Sequence, residues 1–159
     1  MRFVDKKFKN NKKQYILQCL LATAALVLIL ISVDFVLHTA IVASLGATSF
    51  IVFTMPHKNR GKARYILGGY MFSVITGGIC SIFINLNPNI TPGILGAIAV
   101  GLCMFLMVVF NAEHPPAAAL ALGIVIEGFD IKTIIFVFFV SCLLLFVKYL
   151  NRRWIIDLV

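Results

Sequence analysis

Residues 93–119 have the sequence GILGAIAVGLCMFLMVVFNAEHPPAAA, which indicates the architecture of the chain more clearly than any other part. Its first 18 residues carry no charge, and a helix of that length is about as long as the hydrocarbon core of a membrane is thick. The polar residues 111–114 interrupt the apolar run, and Pro115 and Pro116 then end one helix and open the next. The stretch therefore predicts a membrane-spanning helix that turns into a second, alanine-rich helix.

The rest of the chain has the same character. Of its 159 residues, 61% are hydrophobic and 13% are charged, so polar side chains cannot cover the exterior of a soluble protein. Four apolar runs are long enough to span a membrane and two are shorter or less apolar; the long runs are 15–33, 65–84, 93–110 and 133–150, and the short ones are 37–55 and 115–129. We predict an all-α, polytopic transmembrane helical bundle of about six hydrophobic segments, four full spans and two short or broken ones. In the alternative, a four-span bundle, the two short runs are re-entrant or interfacial.

The basic residues indicate how the chain is oriented. The net charge is +8, and 13 of the 14 basic residues fall into three clusters beside apolar runs: Arg2, Lys6, Lys7, Lys9, Lys12 and Lys13; Lys58, Arg60, Lys62 and Arg64; Lys148, Arg152 and Arg153. Such clusters are typical of cytoplasmic ends and of attraction to anionic lipids, and the chain lacks a folded basic domain for nucleic acid. We expect one transmembrane domain over 1–159 in a bacterial inner membrane. It has a cytoplasmic N-terminus (1–14), two halves (15–84 and 93–150) and a cytoplasmic tail (151–159).

Two stretches resemble each other. Residues 38–46 and 114–123 both begin with a histidine after an apolar run and end in Leu-Gly. If the similarity is more than chance, the chain is an inverted repeat of three plus three helices. In transporters of that design, the substrate binds where short helices of the two halves meet.

Chemistry concentrates at the start of the second short run. A helix that begins at membrane depth has unsatisfied N–H groups and a positive dipole end, which favour an anion. His114 could bind that anion or carry a proton, and Glu113 could hold its imidazole in one tautomer or be a solvated acid. The alternative is an interfacial helix turn with both side chains in headgroups and water.

Further candidate residues surround this start. Gly46, Thr48 and Ser49 form a small, hydroxyl-bearing patch that either lines a pathway or packs helices closely. The complete candidate site comprises Asn111, Glu113, His114, Pro115, Pro116 and Ala117, faced from the other half by His38, Thr39, Gly46, Thr48 and Ser49. The glycine pairs 68–69 and 77–78 are interpreted as packing surfaces. We expect no cofactor, no metal and no enzyme activity, because the motifs of membrane-embedded enzymes are missing.

The tripeptide His114-Pro115-Pro116, followed by small residues, resembles the signature of the HPP family of integral membrane proteins. Gly46-Ala47-Thr48-Ser49, Pro56, Ala63-Arg64 and Gly68-Gly69 extend the resemblance over nearly the whole chain. The family is described as having four spanning helices, and members from plastids and cyanobacteria are linked to nitrite transport. The chain departs from the pattern at 117–119, where it has alanines and the family tends to have glycine.

The resemblance implies a transporter or channel for a small monovalent anion such as nitrite, with the lipid bilayer and the anion as its partners. A membrane scaffold or sensor subunit that moves nothing is the alternative. Because six short helices make a slender protomer around any pore, we expect a homo-oligomer.

Overall fold

The structure is a computed structural model that describes residues 10–32, 39–87 and 89–159. Within these residues it contains six α-helices, one turn of 3-10 helix and no strand. The helices are α1 (Lys12–Ser32), α2 (Thr39–Thr54), α3 (Ala63–Leu86), α4 (Pro92–Val109), α5 (Pro116–Glu127) and α6 (Ile131–Leu150), and the 3-10 turn is Asn59–Gly61. The prediction of an all-α bundle with six hydrophobic segments is confirmed.

Helix length separates the six helices into two groups. The helices α1, α3, α4 and α6 are long and apolar enough to cross a membrane. By contrast, α2 has 16 residues and α5 has 12, so they are about 24 Å and 18 Å long against a hydrocarbon core of about 30 Å. The protein is an integral membrane protein with four full spans and two short helices.

The short helices lie at the centre of the bundle. The helix α5 packs against α2, α3 and α4, while α1 packs against α2, and α6 packs against α2 and α3. Glycines permit the close approach of α3 to α5: a methyl group on Gly77 would lie 2.9 Å from the carbonyl oxygen of Ala121. The glycine pairs therefore serve packing, as predicted. The inverted three-plus-three repeat stays a prediction.

The last two basic clusters meet at one end of the bundle, which we call the basic end. It comprises the loop 55–62 and the last turn of α6. Lys148 Nζ donates a hydrogen bond of 2.7 Å to the carbonyl oxygen of Gly61 and joins the two elements. The first turn of α1, with Lys12 and Lys13, lies at the same end, because Tyr15 contacts the residues that follow α6.

Residues 151–159, expected to be a simple tail, fold back onto the basic end. The N–H of Leu158 donates to the carbonyl oxygen of Thr54 at 2.8 Å, and the hydroxyl of Tyr15 donates to the carbonyl oxygen of Leu158 at 2.7 Å. Ile155 and Leu158 are buried. The segment thus ties the start of α1 to the end of α2.

Candidate functional site

A cluster of four polar side chains is buried where α2, α3 and α5 meet, and we call it the polar cluster. Its members are Ser44 and Thr48 from α2, Tyr70 from α3 and His114 from the loop before α5, and each is at most 1% exposed. Ser44 and Thr48 are four residues apart, so they lie on the same face of α2. This face looks toward the start of α5.

Thr48 is the centre of the hydrogen bonds in the polar cluster. Its Oγ1 lies 2.8 Å from Nε2 of His114 and 2.5 Å from the hydroxyl of Tyr70. Ser44 Oγ donates to the carbonyl oxygen of Pro116 at 2.7 Å and lies 3.2 Å from the hydroxyl of Tyr70. The cluster therefore connects both short helices to α3.

The ring of His114 is held from several sides, yet one of its nitrogens is unused. The ring packs edge-on against Tyr70, with 5.3 Å between ring centroids. Its Cβ sits where a methyl group on Gly69 would lie only 2.7 Å away, and its backbone N–H contacts Met107 Sδ at 3.4 Å. The backbone of Arg60 also interacts with the ring. Nonetheless Nδ1 is buried and, among the described residues, has no hydrogen-bond partner.

The depth of His114 follows from its neighbour on α3. Gly69 is six residues beyond the start of α3, so the imidazole lies about 9 Å along that helix from the basic end. The side chain is completely buried, so the part of the interfacial alternative that places His114 among headgroups and water is wrong, whereas Glu113 is exposed as that alternative expects.

The start of α5 differs from the expectation in one important respect. Pro115 and Pro116 have no N–H, the N–H of Ala117 donates to the carbonyl oxygen of His114 at 2.9 Å, and that of Ala118 donates to Pro115 at 3.1 Å. The expectation of unsatisfied N–H groups at this helix start is therefore wrong. Among the described residues, the buried side-chain polar atom without a hydrogen-bond partner is Nδ1 of His114.

Glu113 and Asn111 stand apart from the polar cluster. Glu113 is exposed, as the solvated-acid interpretation has it, and Nδ1 of His114 has no carboxylate partner among the described residues. Asn111 is exposed in the turn after α4, with a φ of 50°, and its Oδ1 lies 3.5 Å from the hydroxyl of Tyr65. Asparagine tolerates this left-handed conformation better than most residues, so Asn111 shapes the turn that leads to His114.

The patch on α2 is divided between two faces. Only Thr48 reaches His114, whereas Ser49 Oγ donates to the carbonyl oxygen of Gly46 at 2.8 Å in its own helix. Gly46 faces α1, because a methyl group there would lie 3.1 Å from a side-chain carbon of Leu26. Both therefore fit the packing interpretation. Thr39 is exposed at the first position of α2, and His38 lies outside the described residues.

The remaining predicted residues shape the site without offering a polar side chain. Pro115 is exposed, Pro116 is buried and supplies the carbonyl oxygen that accepts from Ser44, and Ala117 packs against α3 near Gly69. The small side chain of Ala117 thereby lets the loop with His114 approach α3.

A cavity of about 210 Å³ borders His114 between α4 and the start of α5. No part of the His114 side chain is exposed, so the cavity ends at the ring without opening onto the polar cluster. Beside His114, the cavity is lined by Met104, Met107, Val108, Glu113, Pro115 and Ala118. The structure therefore shows the site closed.

Sequence reasoning missed two members of the polar cluster, Ser44 and Tyr70. Ser44 had a usable signal, since it lies one helical turn before Thr48 on the same face. Tyr70 had no such signal, because a tyrosine in an apolar run is also common as a packing residue, and only the fold brings its hydroxyl to Thr48.

The polar cluster rests on the His-Pro-Pro turn, and the family comparison matches the chain around this turn and far beyond it. The family model described as HPP, transmembrane region, matches residues 7–154. The chain belongs to the HPP family. No curated protein and no solved structure matches it. The membership of this HPP protein therefore rests on nearly its whole length, including both short helices.

Proposed function

We propose that this HPP protein moves a small monovalent anion such as nitrite across the membrane, as a transporter or channel, and that the polar cluster binds the anion. The observation that supports this most directly is Nδ1 of His114, which is buried where the two short helices meet and has no hydrogen-bond partner in the part of the chain that the structure describes. A buried polar atom without a partner is costly, and a bound ligand would offset that cost.

The composition of the polar cluster supports a small anion of single charge. Three hydroxyl groups and one imidazole are present, and none of the four side chains is a carboxylate or a fixed cation. Charged side chains at membrane depth are rare and usually serve a substrate, so their absence from the cluster argues against a polyvalent ion. The nitrite transport implied by the family resemblance is compatible with this chemistry.

The proposal also covers the orientation of the protein in the membrane, its partners and its oligomeric state. Basic clusters favour the cytoplasmic side, so we infer that the basic end faces the cytoplasm of a bacterial inner membrane, with both termini on that side. The partners are the lipid bilayer and the anion, and the protein works as a homo-oligomer, without a cofactor or nucleic acid and without enzyme activity. A slender bundle of six helices supports this oligomer, because one protomer encloses little space.

The test is anion flux into proteoliposomes for a panel of small anions, with nitrite first. We expect His114→Ala to lower the nitrite rate at least about tenfold, the loss that about 1.4 kcal/mol of binding would cause. Gly101→Ala is the control, since a methyl group there meets nothing within 4 Å. If wild-type protein moves no anion faster than protein-free liposomes do, a scaffold or sensor subunit is the better interpretation.

A further inference from the structure

The hydrogen bonds of Thr48 assign the proton on the imidazole of His114. Thr48 has one hydroxyl proton, which the carbonyl oxygen of Ser44 accepts at 3.0 Å. Thr48 Oγ1 is then the acceptor for both the hydroxyl of Tyr70 and Nε2 of His114. In this arrangement the neutral ring carries its proton on Nε2 and has a lone pair at Nδ1. The other tautomer would place an N–H at Nδ1, where no acceptor among the described residues lies in hydrogen-bonding geometry, and such orphaned donors are the rarer arrangement.

The neutral and the protonated ring differ in how they interact with an anion. A lone pair at Nδ1 repels an anion, so the neutral ring offers it no attraction there. Once Nδ1 is protonated, the ring is a cation with a donor on each nitrogen. Nε2 then keeps its bond to Thr48, and Nδ1 becomes a charged donor, which forms the stronger class of hydrogen bond.

Among the described residues, no side chain that faces the ring supplies a counter-charge. The groups that face it are Thr48 from α2, Tyr70 from α3, Met107 from α4 and the backbone of Arg60 from the loop 55–62. The helix α5 has no titratable side chain before Glu127, and Glu113 is exposed. A protonated ring without an anion would therefore be an unpaired buried charge, which is strongly unfavourable.

We propose that the site binds one proton and one monovalent anion together, so that transport is electroneutral. This inference rests on the proposed function of anion transport and specifies how that transport is coupled. A proton from the acidic side adds to the lone pair of Nδ1, and the anion binds to the new N–H. On the opposite side the anion leaves, Nδ1 loses its proton and the neutral ring returns. One proton and one anion have then crossed, and no net charge has moved.

The experiment uses full-length protein in proteoliposomes with nitrite outside. Valinomycin and potassium gradients set the membrane potential, buffers set the pH on each side, and a trapped dye reports the internal pH. Protein-free liposomes measure the nitrous acid that crosses lipid unaided, and this background is subtracted. Initial nitrite uptake and internal acidification are recorded together.

Electroneutral coupling makes three predictions for wild-type protein. Uptake rises up to about tenfold for each unit by which the external pH falls, as long as the ring is mostly neutral. A potential of about 100 mV changes nitrite accumulation less than about twofold, whereas it would change that of an uncoupled anion by about fiftyfold. One proton enters with each nitrite.

His114→Gln is the diagnostic variant, because its amide can still donate to Thr48 but takes up no proton. We expect it to lose the pH dependence, while Gly101→Ala keeps it. Uptake by wild-type protein that follows the potential, without proton entry, overturns the coupling and leaves anion transport standing. So does a His114→Gln variant with an unchanged pH profile. Should wild-type protein move no nitrite above background, both proposals fail. The wild-type measurements need no variant, so they decide even if His114→Gln does not fold.

Discussion

Gln18 and His114 are two completely buried polar side chains in the half of the bundle near the basic end, and their hydrogen bonding differs. Gln18 donates from Nε2 to the carbonyl oxygens of Phe53 and Ile156, and its Oε1 accepts from the N–H of Ile156 at 3.1 Å. His114 uses Nε2 and leaves Nδ1 unpartnered among the described residues. A buried side chain whose polar atoms are all hydrogen-bonded links parts of the structure, whereas one with an unbonded polar atom can still bind a ligand.

The largest loss of stability is expected from replacing Gln18, the side chain whose polar atoms are all hydrogen-bonded. Gln18→Leu removes three hydrogen bonds and leaves without these partners the buried carbonyl oxygen of Phe53 and the partly buried N–H and carbonyl oxygen of Ile156. Each unsatisfied group costs about 1–3 kcal/mol, so we expect a loss of at least about 3 kcal/mol in the free energy of unfolding. Thermal unfolding in detergent measures it, with Gln14→Leu, one turn earlier in α1, as the control. An equal loss in both variants would show that Gln18 does not hold the folded-back residues 151–159.

An intermediate loss of stability is expected from adding a methyl group beside His114. A methyl group at Gly69 would lie 2.7 Å from Cβ of His114 and 3.2 Å from Cβ of Ala117. The loop before α5 must move to make room, and overpacking of this kind costs about 1–3 kcal/mol. We expect Gly69→Ala to lower the unfolding temperature and to reduce nitrite flux.

Gly101→Ala is the matched control for Gly69→Ala, since nothing lies within 4 Å of the added methyl group on α4. Alanine favours helix over glycine by up to about 1 kcal/mol, so this variant should be as stable as wild type or slightly more stable. A Gly69→Ala protein that matches Gly101→Ala in both measurements would contradict the close contact between α3 and His114.

The fold could be predicted from the sequence because lipid restricts the options. Apolar length alone marks a spanning helix, and each observed helix begins and ends within three residues of the run that predicted it. The folding back of residues 151–159 could not be predicted. It involves the amide of Gln18, which bonds to Ile156 and in the sequence is one polar residue inside the apolar run 15–33.

The candidate site was predicted in part. The His-Pro-Pro turn and Thr48 were found, because prolines and hydroxyl groups are unusual within apolar runs. The direction of each side chain could not be predicted, because it depends on how the helix is rotated about its axis. Thr48 points to His114, whereas Ser49 bonds to a carbonyl oxygen of its own helix. The start of α5 does not have the expected free N–H groups, because two prolines replace the first donors and the next two N–H groups bond to the carbonyl oxygens of His114 and Pro115.

The smallest effect, and the one that tests the comparison most directly, is expected from Thr48→Val. The change keeps the shape of the side chain but removes the oxygen shared by Tyr70 and His114. The hydrogen bond from Thr48 to Ser44 is lost, and Nε2 of His114 loses its acceptor. The hydroxyl of Tyr70 can still donate to the carbonyl oxygen of Ser44 at 3.3 Å, which limits the loss of stability. We expect a loss of about 1–2 kcal/mol in the free energy of unfolding, since one buried group is left without its partner.

Thr54→Val is the control for Thr48→Val, because the hydroxyl of Thr54 donates to Phe50 within the same helix α2. Its loss should be smaller, since no second helix depends on that oxygen. The more informative readout is the imidazole itself. Nitrogen NMR of His114 should show the proton on Nε2 in wild-type protein and a changed balance between Nε2 and Nδ1 in Thr48→Val, but not in Thr54→Val. If both variants keep the wild-type signals, Thr48 does not orient the ring. The contrast between the fully hydrogen-bonded Gln18 and the partly bonded His114 would then be wrong.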